Sequence, residues 1–162
     1  CSSDLLWVSN ADGSGLRRLT QSREGDSSPT WSPDSRTICF TSRMAGRPAL
    51  YTISADGGTP RPLNTGGIVG ATEPDWSPDG QWIAFTRQSG GGFQICVVPA
   101  RGGETKVLRE GEDPSWAPNS RTLIFARRVG NKRALSLLDV PTNRVKDCHP
   151  VSGGCSQPSW AQ

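Results

Sequence analysis

The sequence predicts an all-β fold built from repeated four-stranded antiparallel units, and three observations support this. A Pro-x-Trp phrase followed by Ser-Pro or Ala-Pro recurs with tryptophans 45 and then 40 residues apart: Trp31, Trp76, Trp116. A second phrase begins 18 residues after each tryptophan (31 to 49, 76 to 94, 116 to 134). No segment keeps a helical apolar stripe, because 19 glycines and 13 prolines interrupt the chain. Repeats of this length with four strand signals each are typical of a β-propeller blade.

Each repeat is divided into four strands, A to D, joined by turns. Strand A is the Pro-x-Trp-Ser phrase, and strand B is Thr37 to Thr41 with its equivalents. Strand C is of the Leu-Tyr-Thr-Ile-Ser type and strand D of the Pro-Arg-Pro-Leu-Asn type. Ser-Pro-Asp-Gly joins A to B, and Ala-Asp-Gly-Gly joins C to D. In both turns Gly, Asn or Asp stands where a two-residue hairpin needs positive φ.

The whole chain, 1–162, is predicted to form one propeller region with three complete repeats and two partial ones. The complete repeats span 29–64, 74–109 and 114–149, and the partial ones span 5–20 and 158–162. We expect this region to be part of a larger propeller. Two alternatives are an arc that closes by self-association with another copy, and a self-contained four-bladed ring. The repeated tryptophans are expected to pack blade on blade in the core: Trp31, Trp76, Trp116 and Trp160.

Composition limits the class of protein. The net charge of +3 is mild and the aromatic residues are not interleaved with basic ones, so we expect no nucleic-acid partner. No stretch approaches 18 apolar residues, so we expect no membrane span. Catalysis is not expected either, because His149 is the only histidine, and neither a Gly-x-Ser-x-Gly elbow nor a phosphate-binding loop is present.

The five cysteines fall into three groups. Cys39 and Cys96 lie inside predicted strands and are expected to be small buried apolar residues. Cys148 and Cys155 flank a loop and could form a disulfide in an oxidising compartment. Cys1, followed by two serines, resembles the first residue of a processed bacterial lipoprotein and could carry a lipid anchor, although the start of the sequence could equally account for it.

The repeat phrases resemble those of the TolB propeller family. The resemblance rests on Trp-Ser-Pro-Asp-Gly followed by Ile-Ala-Phe-Thr, and on a strand that ends in Ala-Asp-Gly before a Leu-Thr or Leu-Asn pair. The segments that carry it are Trp31–Asp34, Trp76–Phe85, Trp116–Phe125, Asp12–Thr20 and Asp56–Leu63. The chain departs from the family pattern because it holds only three complete repeats and no N-terminal α/β domain.

The resemblance implies a function in the bacterial envelope. TolB proteins are periplasmic, belong to the Tol–Pal system and bind the peptidoglycan-associated lipoprotein through a six-bladed propeller. A non-catalytic protein-binding propeller of the periplasm is therefore the expected function. The same repeat also occurs in propellers of larger peptidases and in receptor-kinase sensor regions. A regulatory or substrate-gating propeller of such a protein is the alternative.

One propeller face is the candidate binding surface. Alternating strands place the B–C and D–A connections on the same face, with basic residues in the first set and acidic residues in the second. The candidate partner-binding residues are Glu73, Asp113, Asp26, Glu112, Arg43, Arg87 and Arg128. Glu73 and Asp113 could also hold Ca²⁺ in the channel, because this ion prefers carboxylate oxygens; no other cofactor is expected. A simpler interpretation is that these charges keep exposed loops soluble.

Overall fold

The computed structural model describes residues 4–130, 132–148, 158 and 160. Every regular element in this part of the chain is a β-strand, which confirms the predicted all-β class. Because these residues form no helix, they contain none that is long and apolar enough to cross a membrane. Cys1, His149 and Cys155 lie outside the described residues, so the predicted lipid anchor and disulfide are not addressed by the structure.

The strands form three four-stranded antiparallel sheets and one two-stranded ribbon. The ribbon consists of β1 (Trp7–Val8) and β2 (Arg17–Arg18). Blade 1 contains β3 (Asp26–Trp31), β4 (Thr37–Ser42), β5 (Ala49–Ser54) and β6 (Arg61–Pro62). Blade 2 contains β7 (Ala71–Trp76), β8 (Trp82–Ser89), β9 (Gly92–Pro99) and β10 (Lys106–Glu110). Blade 3 contains β11 (Glu112–Trp116), β12 (Thr122–Val129), β13 (Lys132–Asp139) and β14 (Arg144–Asp147). Within each blade the strands pair in chain order, as propeller blades do.

The blades stack face to face on three apolar clusters. Phe85 and Ile83 of blade 2 pack against Leu50 and Cys39 of blade 1. A second cluster joins blade 2 to blade 3, and a third joins blade 1 to the ribbon. Cys39 and Cys96 are completely buried, as the sequence predicted. Burial raises the pKa of the Cys39 thiol to about 12 and that of Cys96 to about 11, so both thiols stay protonated and behave as apolar groups.

The A–B turn repeats with the same hydrogen bonds in all three blades. In blade 2 the Gly80 amide donates to the Ser77 carbonyl at 2.8 Å, and Gly80 has φ of 74°. Ser35 and Ser120 take the same place with φ of 58° and 51°. The carboxylate of Asp79 accepts hydrogen bonds from Ser77 and Gln81, which explains the repeated Asp or Asn as a turn-forming residue.

The prediction of a two-residue turn is wrong for the A–B connection. In blade 1 the Ser32 amide still donates to the Thr37 carbonyl, and the four residues 33–36 form the turn between them. Two-residue turns occur instead between strands B and C of blades 2 and 3, whereas six residues, 43–48, join these strands in blade 1. Ser89 pairs with Gly92 across Gly90 and Gly91, and Val129 pairs with Lys132 across residues 130–131. Glycine permits such tight turns, so these two hairpins continue well beyond the predicted strand ends.

The four repeated tryptophans do not share one environment. Trp116 is buried in the blade 2–blade 3 cluster, and Trp76 packs partly buried against the blade 1–blade 2 cluster. The indole of Trp160 donates a hydrogen bond to the Ser115 carbonyl at 3.2 Å. Trp31 is 46% exposed, so the predicted core position is wrong for this residue. Trp31 pairs with Ile38 and so lies on the face that the ribbon covers, but the two-stranded ribbon packs against Ile38 and Phe40 and leaves the Trp31 ring uncovered.

Candidate functional site

Strand A of every blade contains a β-bulge immediately before its proline. In blade 1, Ser27 pairs with Thr41 and Thr30 pairs with Cys39, so two residues of strand A stand opposite one of strand B. The residues that precede the prolines have left-handed backbones: Ser28 (φ 52°), Glu73 (φ 54°) and Asp113 (φ 54°). This conformation is uncommon for residues other than glycine and is found preferentially at functional sites. A bulge also changes the direction in which its side chain points. These bulges lie near the face that carries the B–C and D–A connections, which we call the loop face.

Hydrogen bonds between each bulged residue of blades 2 and 3 and the preceding blade hold the bulge in place. The Glu73 amide donates to Thr41 Oγ1 at 3.2 Å, and the Asp113 amide donates to Thr86 Oγ1 at 3.1 Å. Thr41 and Thr86 are equivalent residues of two B strands, 45 residues apart. The bulges of blades 2 and 3 are therefore each positioned by the blade before them, and the site depends on blade stacking.

Two of the predicted site residues, Glu73 and Asp113, form an acidic pair. The Asp113 amide also donates to Glu73 Oε2, at 3.3 Å. Partial burial raises the pKa of the Glu73 carboxyl, and the nearby charge of Asp113 raises it further, although a hydrogen bond with Thr86 acts in the opposite direction. Two carboxyl groups so close together repel each other when both are ionised. The pair can therefore bind a proton or a positively charged group from a partner.

The residue between proline and tryptophan in each A strand forms a second line of contacts, which the sequence analysis missed. Trp76 N donates to Thr30 Oγ1 at 3.2 Å, and Trp116 N donates to Asp75 Oδ2 at 2.6 Å. Burial raises the pKa of Asp75 in spite of these hydrogen bonds. The sequence did hold a signal for these contacts, because the position directly before each tryptophan carries a polar residue in all three blades: Thr30, Asp75 and Ser115.

All four acidic candidates lie in A strands and not in the predicted D–A loops: Glu73 and Asp113 at the bulges, and Asp26 and Glu112 at strand starts. Asp26 begins β3 and is only 2% exposed, and neither of its carboxylate oxygens has a hydrogen-bond partner. Such a buried group cannot contact a partner directly. Blades 2 and 3 have Ala71 and Gly111 at this position, 45 and 85 residues further on. Glu112 begins β11 and forms an ion pair with Arg133.

The predicted basic loop residues are mostly strand residues as well. Arg43 is exposed in the loop between β4 and β5. Arg87, however, lies in β8, is half-buried, and has an Nε atom with no acceptor. Arg128 lies in β12 and pairs across the ladder with Arg133. The long B–C hairpins explain the difference, because they extend the ladder through the segments that the sequence had suggested were loops.

Part of the positive charge of the B–C connections is neutralised by acidic neighbours. Arg127 forms an ion pair with Asp147 at 2.6 Å and also donates to Ser136 Oγ at 3.0 Å. Arg133 is paired with Glu112. Among the residues of the three described blades, Arg128 and Lys132 have no ion-pair partner. On this face, exposed positive charge without an ion-pair partner is therefore found in the described blades at the tip of the β12–β13 hairpin and at Arg43 and Arg47 of the β4–β5 loop.

The predicted calcium site remains an untested expectation. Glu73 and Asp113 are brought together, but in the described part of the chain no group of three or more His, Cys, Asp or Glu side chains is arranged to hold a metal ion. Ca²⁺ takes six to eight oxygen ligands. The pair alone would supply only part of such a shell.

Replacing Glu73 with glutamine is expected to remove a pH-dependent loss of stability. Because the pKa of Glu73 is raised in the folded chain, its stabilising effect is complete below about pH 4.5, the ordinary glutamate value, and is lost as pH rises through the raised pKa. Wild type should therefore lose stability relative to Glu73→Gln as pH rises above this value. Urea unfolding at a series of pH values measures the difference. Glu104→Gln, at an exposed carboxyl, is the control, and parallel curves for wild type and Glu73→Gln would contradict the prediction.

Comparison with known proteins agrees with this architecture. A family model described as "TolB beta propeller domain" matches residues 2–162. The Tol-Pal system protein TolB of Bordetella pertussis is 40% identical over 161 residues, which cover 98% of this chain and 36% of the relative. The chain thus spans about a third of the length of the curated relatives it matches.

Solved structures show the same fold. A crystal structure of TolB from Acinetobacter baumannii superposes with a TM-score of 0.81 at 23% identity, covering 96% of this chain and 40% of the other. The β-propeller domain of the trilobed protease from Pyrococcus furiosus gives a TM-score of 0.57 at 20% identity, with 74% and 41% coverage. At these identities the structures support the fold alone. The family model and the sequence identity extend over nearly the whole chain, and the chain therefore belongs to the TolB β-propeller domain family.

Proposed function

We propose that this chain is a non-catalytic docking propeller of the bacterial periplasm that binds a protein partner, the peptidoglycan-associated lipoprotein, on its loop face. The observation that carries the proposal is the 40% identity with a Tol-Pal system protein over 98% of the chain. The likeness to a protease propeller, at 20% identity, supports the shared fold and gives no preference for the alternative function in a larger peptidase. Lipid anchoring through Cys1 stays a prediction from the sequence.

The bulged A strands supply the proposed contact region. Glu73 and Asp113 are held at the loop face by neighbouring blades, so their positions are set before a partner arrives. A preorganised site loses less conformational entropy on binding than a flexible loop does. The acidic pair is suited to a lysine or arginine of the partner, because a cation relieves the repulsion between the two carboxylates.

Neutralising the acidic pair is expected to weaken lipoprotein binding by at least about tenfold, or about 1.4 kcal/mol. The test uses the lipid-free soluble form of a Bordetella peptidoglycan-associated lipoprotein and measures its affinity for wild type and for Glu73→Gln/Asp113→Asn by isothermal titration calorimetry. The loss is expected because a partner cation would be left without its two carboxylates.

Glu104→Gln/Asp56→Asn is the matched control for this experiment. It makes the same chemical changes at the C–D turns, on the opposite side of the blades. Circular dichroism of both double variants checks that the β-structure is retained. Equal affinities for wild type and Glu73→Gln/Asp113→Asn would reject the acidic pair as the contact. Failure of the wild-type chain to bind the lipoprotein would reject this partner.

A further inference from the structure

A cleft lies between the B–C hairpin tips of blades 2 and 3. It has a volume of about 730 Å³, within the range of ligand-binding clefts. One boundary comes from the β8–β9 tip and includes Phe93, and the other comes from the β12–β13 tip and includes the basic residues Arg127, Arg128, Lys132 and Arg133. Two acidic residues, Glu110 and Glu112, also line the cleft, and Glu112 is paired with Arg133, so basic residues outnumber acidic ones. The cleft is separate from the acidic pair, since neither Glu73 nor Asp113 lines it.

The strand registers determine which side chains face each other across the cleft. Side chains alternate along a strand, and Ile95 and Val97 of β9 belong to the cluster between blades 2 and 3. Phe93 has the same parity and therefore projects from blade 2 toward blade 3. It is 44% exposed, although it is a large apolar residue. The blade 2 wall of the cleft is thus partly aromatic.

The opposite wall is cationic. Phe125 of β12 belongs to the same inter-blade cluster, so Arg127 and Val129 project toward blade 2, and Lys132 does so through its pairing with Val129. Arg127 is paired with Asp147, but Lys132 and the neighbouring Arg128 are exposed and have no ion-pair partner in the described blades. Lys132 therefore stands opposite the exposed aromatic ring, and Arg128, which has the opposite parity in β12, lines the same cleft at the hairpin tip.

We propose that this cleft binds an extended acidic segment of a protein partner that also carries an apolar side chain. Carboxylates of the segment would pair with Lys132 and Arg128, and the apolar side chain would cover Phe93. Aromatic residues and arginine are enriched at the energetically important points of protein interfaces. The proposal deepens the docking function proposed above, on which it rests, by naming the chemistry of the partner segment at a second contact point.

Fluorescence anisotropy tests the proposal with a labelled peptide of alternating glutamate and glycine that carries one central tryptophan. The full chain is expected to bind this probe, and binding should weaken as salt is added because the charge contacts are exposed. Arg128→Glu/Lys132→Glu should reduce the affinity about tenfold. Phe93→Ala should reduce it about fivefold, because the tryptophan loses its aromatic contact.

The matched control is Arg36→Glu/Arg101→Glu, which makes the same charge change at exposed turns on the opposite side of the blades and should leave the affinity unchanged. Equal losses in the two double variants would overturn the proposal, because they would indicate a response to net charge alone. Equally tight binding of a labelled lysine-glycine peptide, or of a labelled single-stranded oligonucleotide with the same sensitivity to the variants, would also overturn it.

This experiment fails separately from the lipoprotein experiment. A chain that binds the lipoprotein but not the glutamate peptide retains the proposed function and loses only the cleft assignment. A chain that binds the peptide through Arg128 and Lys132 but does not bind the lipoprotein retains the cleft and loses the named partner.

Discussion

Replacing Gly111 with alanine is expected to lower the free energy of unfolding by about 3 kcal/mol. Gly111 alone separates β10 from β11, and its φ of 151° lies in the region that favours glycine. A Cβ atom there would press against the ring of Phe125, and it would lie 2.8 Å from the carbonyl oxygen of Ala126. The backbone oxygen cannot move without breaking the β11–β12 ladder, so both backbone strain and overlap contribute to the loss.

Urea unfolding followed by tryptophan fluorescence measures this effect. Gly92→Ala is the control, because no atom lies within 4 Å of the position that its Cβ would occupy. Its free energy of unfolding should stay within about 0.5 kcal/mol of wild type. Ala71 occupies the equivalent position in blade 2 and is tolerated there, so a small effect at Gly111 would mean that the D–A connection of blade 3 can relax to the blade 2 conformation.

Replacing Phe85 with alanine is expected to cost about 3–5 kcal/mol of folding free energy. Phe85 is completely buried in the cluster that joins blades 1 and 2, where Leu50 and Cys39 of blade 1 pack against it. Removing the ring leaves a cavity between two sheets, and each sheet is held by its own hydrogen bonds and cannot close the gap. The loss should therefore weaken blade stacking as well as blade 2.

Phe93→Ala is the matched control for Phe85→Ala. Both residues belong to the β8–β9 hairpin, but Phe93 is 44% exposed and should lose no more than about 1 kcal/mol on truncation. Differential scanning calorimetry of the two variants gives the comparison, and equal destabilisation would contradict the assignment of Phe85 to the inter-blade core. The same measurement shows that Phe93→Ala is folded, which the peptide-binding experiment requires.

Blade stacking connects these stability predictions to function. The backbone amides of the bulged Glu73 and Asp113 donate hydrogen bonds to threonine hydroxyls of the preceding blades, those of Thr41 and Thr86. A variant such as Phe85→Ala that loosens blade 1 from blade 2 should therefore also disturb the bulge at Glu73. The acidic pair is a property of stacked blades, and no single repeat contains it.

The candidate site was predictable only in part. The acidic residues Glu73 and Asp113 could be identified because they stand directly before a repeated Pro-x-Trp phrase, and the structure brings them together. The burial of Asp26 was not predictable, since its exposure depends on neighbouring segments and not on its own phrase. The ion pair between Arg127 and Asp147 was not predictable either, because the two residues are 20 positions apart and meet only through strand pairing.

The sequence by itself determined the repeat, the strand order within each blade, the positions of the turns and the all-β class. These follow from local information, namely the strand-forming residue types, the β-turn residues and the constant offset of 18 residues between each tryptophan and the second phrase of its repeat. Only the tertiary structure decided how far the B–C hairpins extend, which tryptophan stays exposed, and which charges remain unpaired. The physical reason is that these properties arise from contacts between strands and between blades, whose geometry depends on packing that no single repeat encodes.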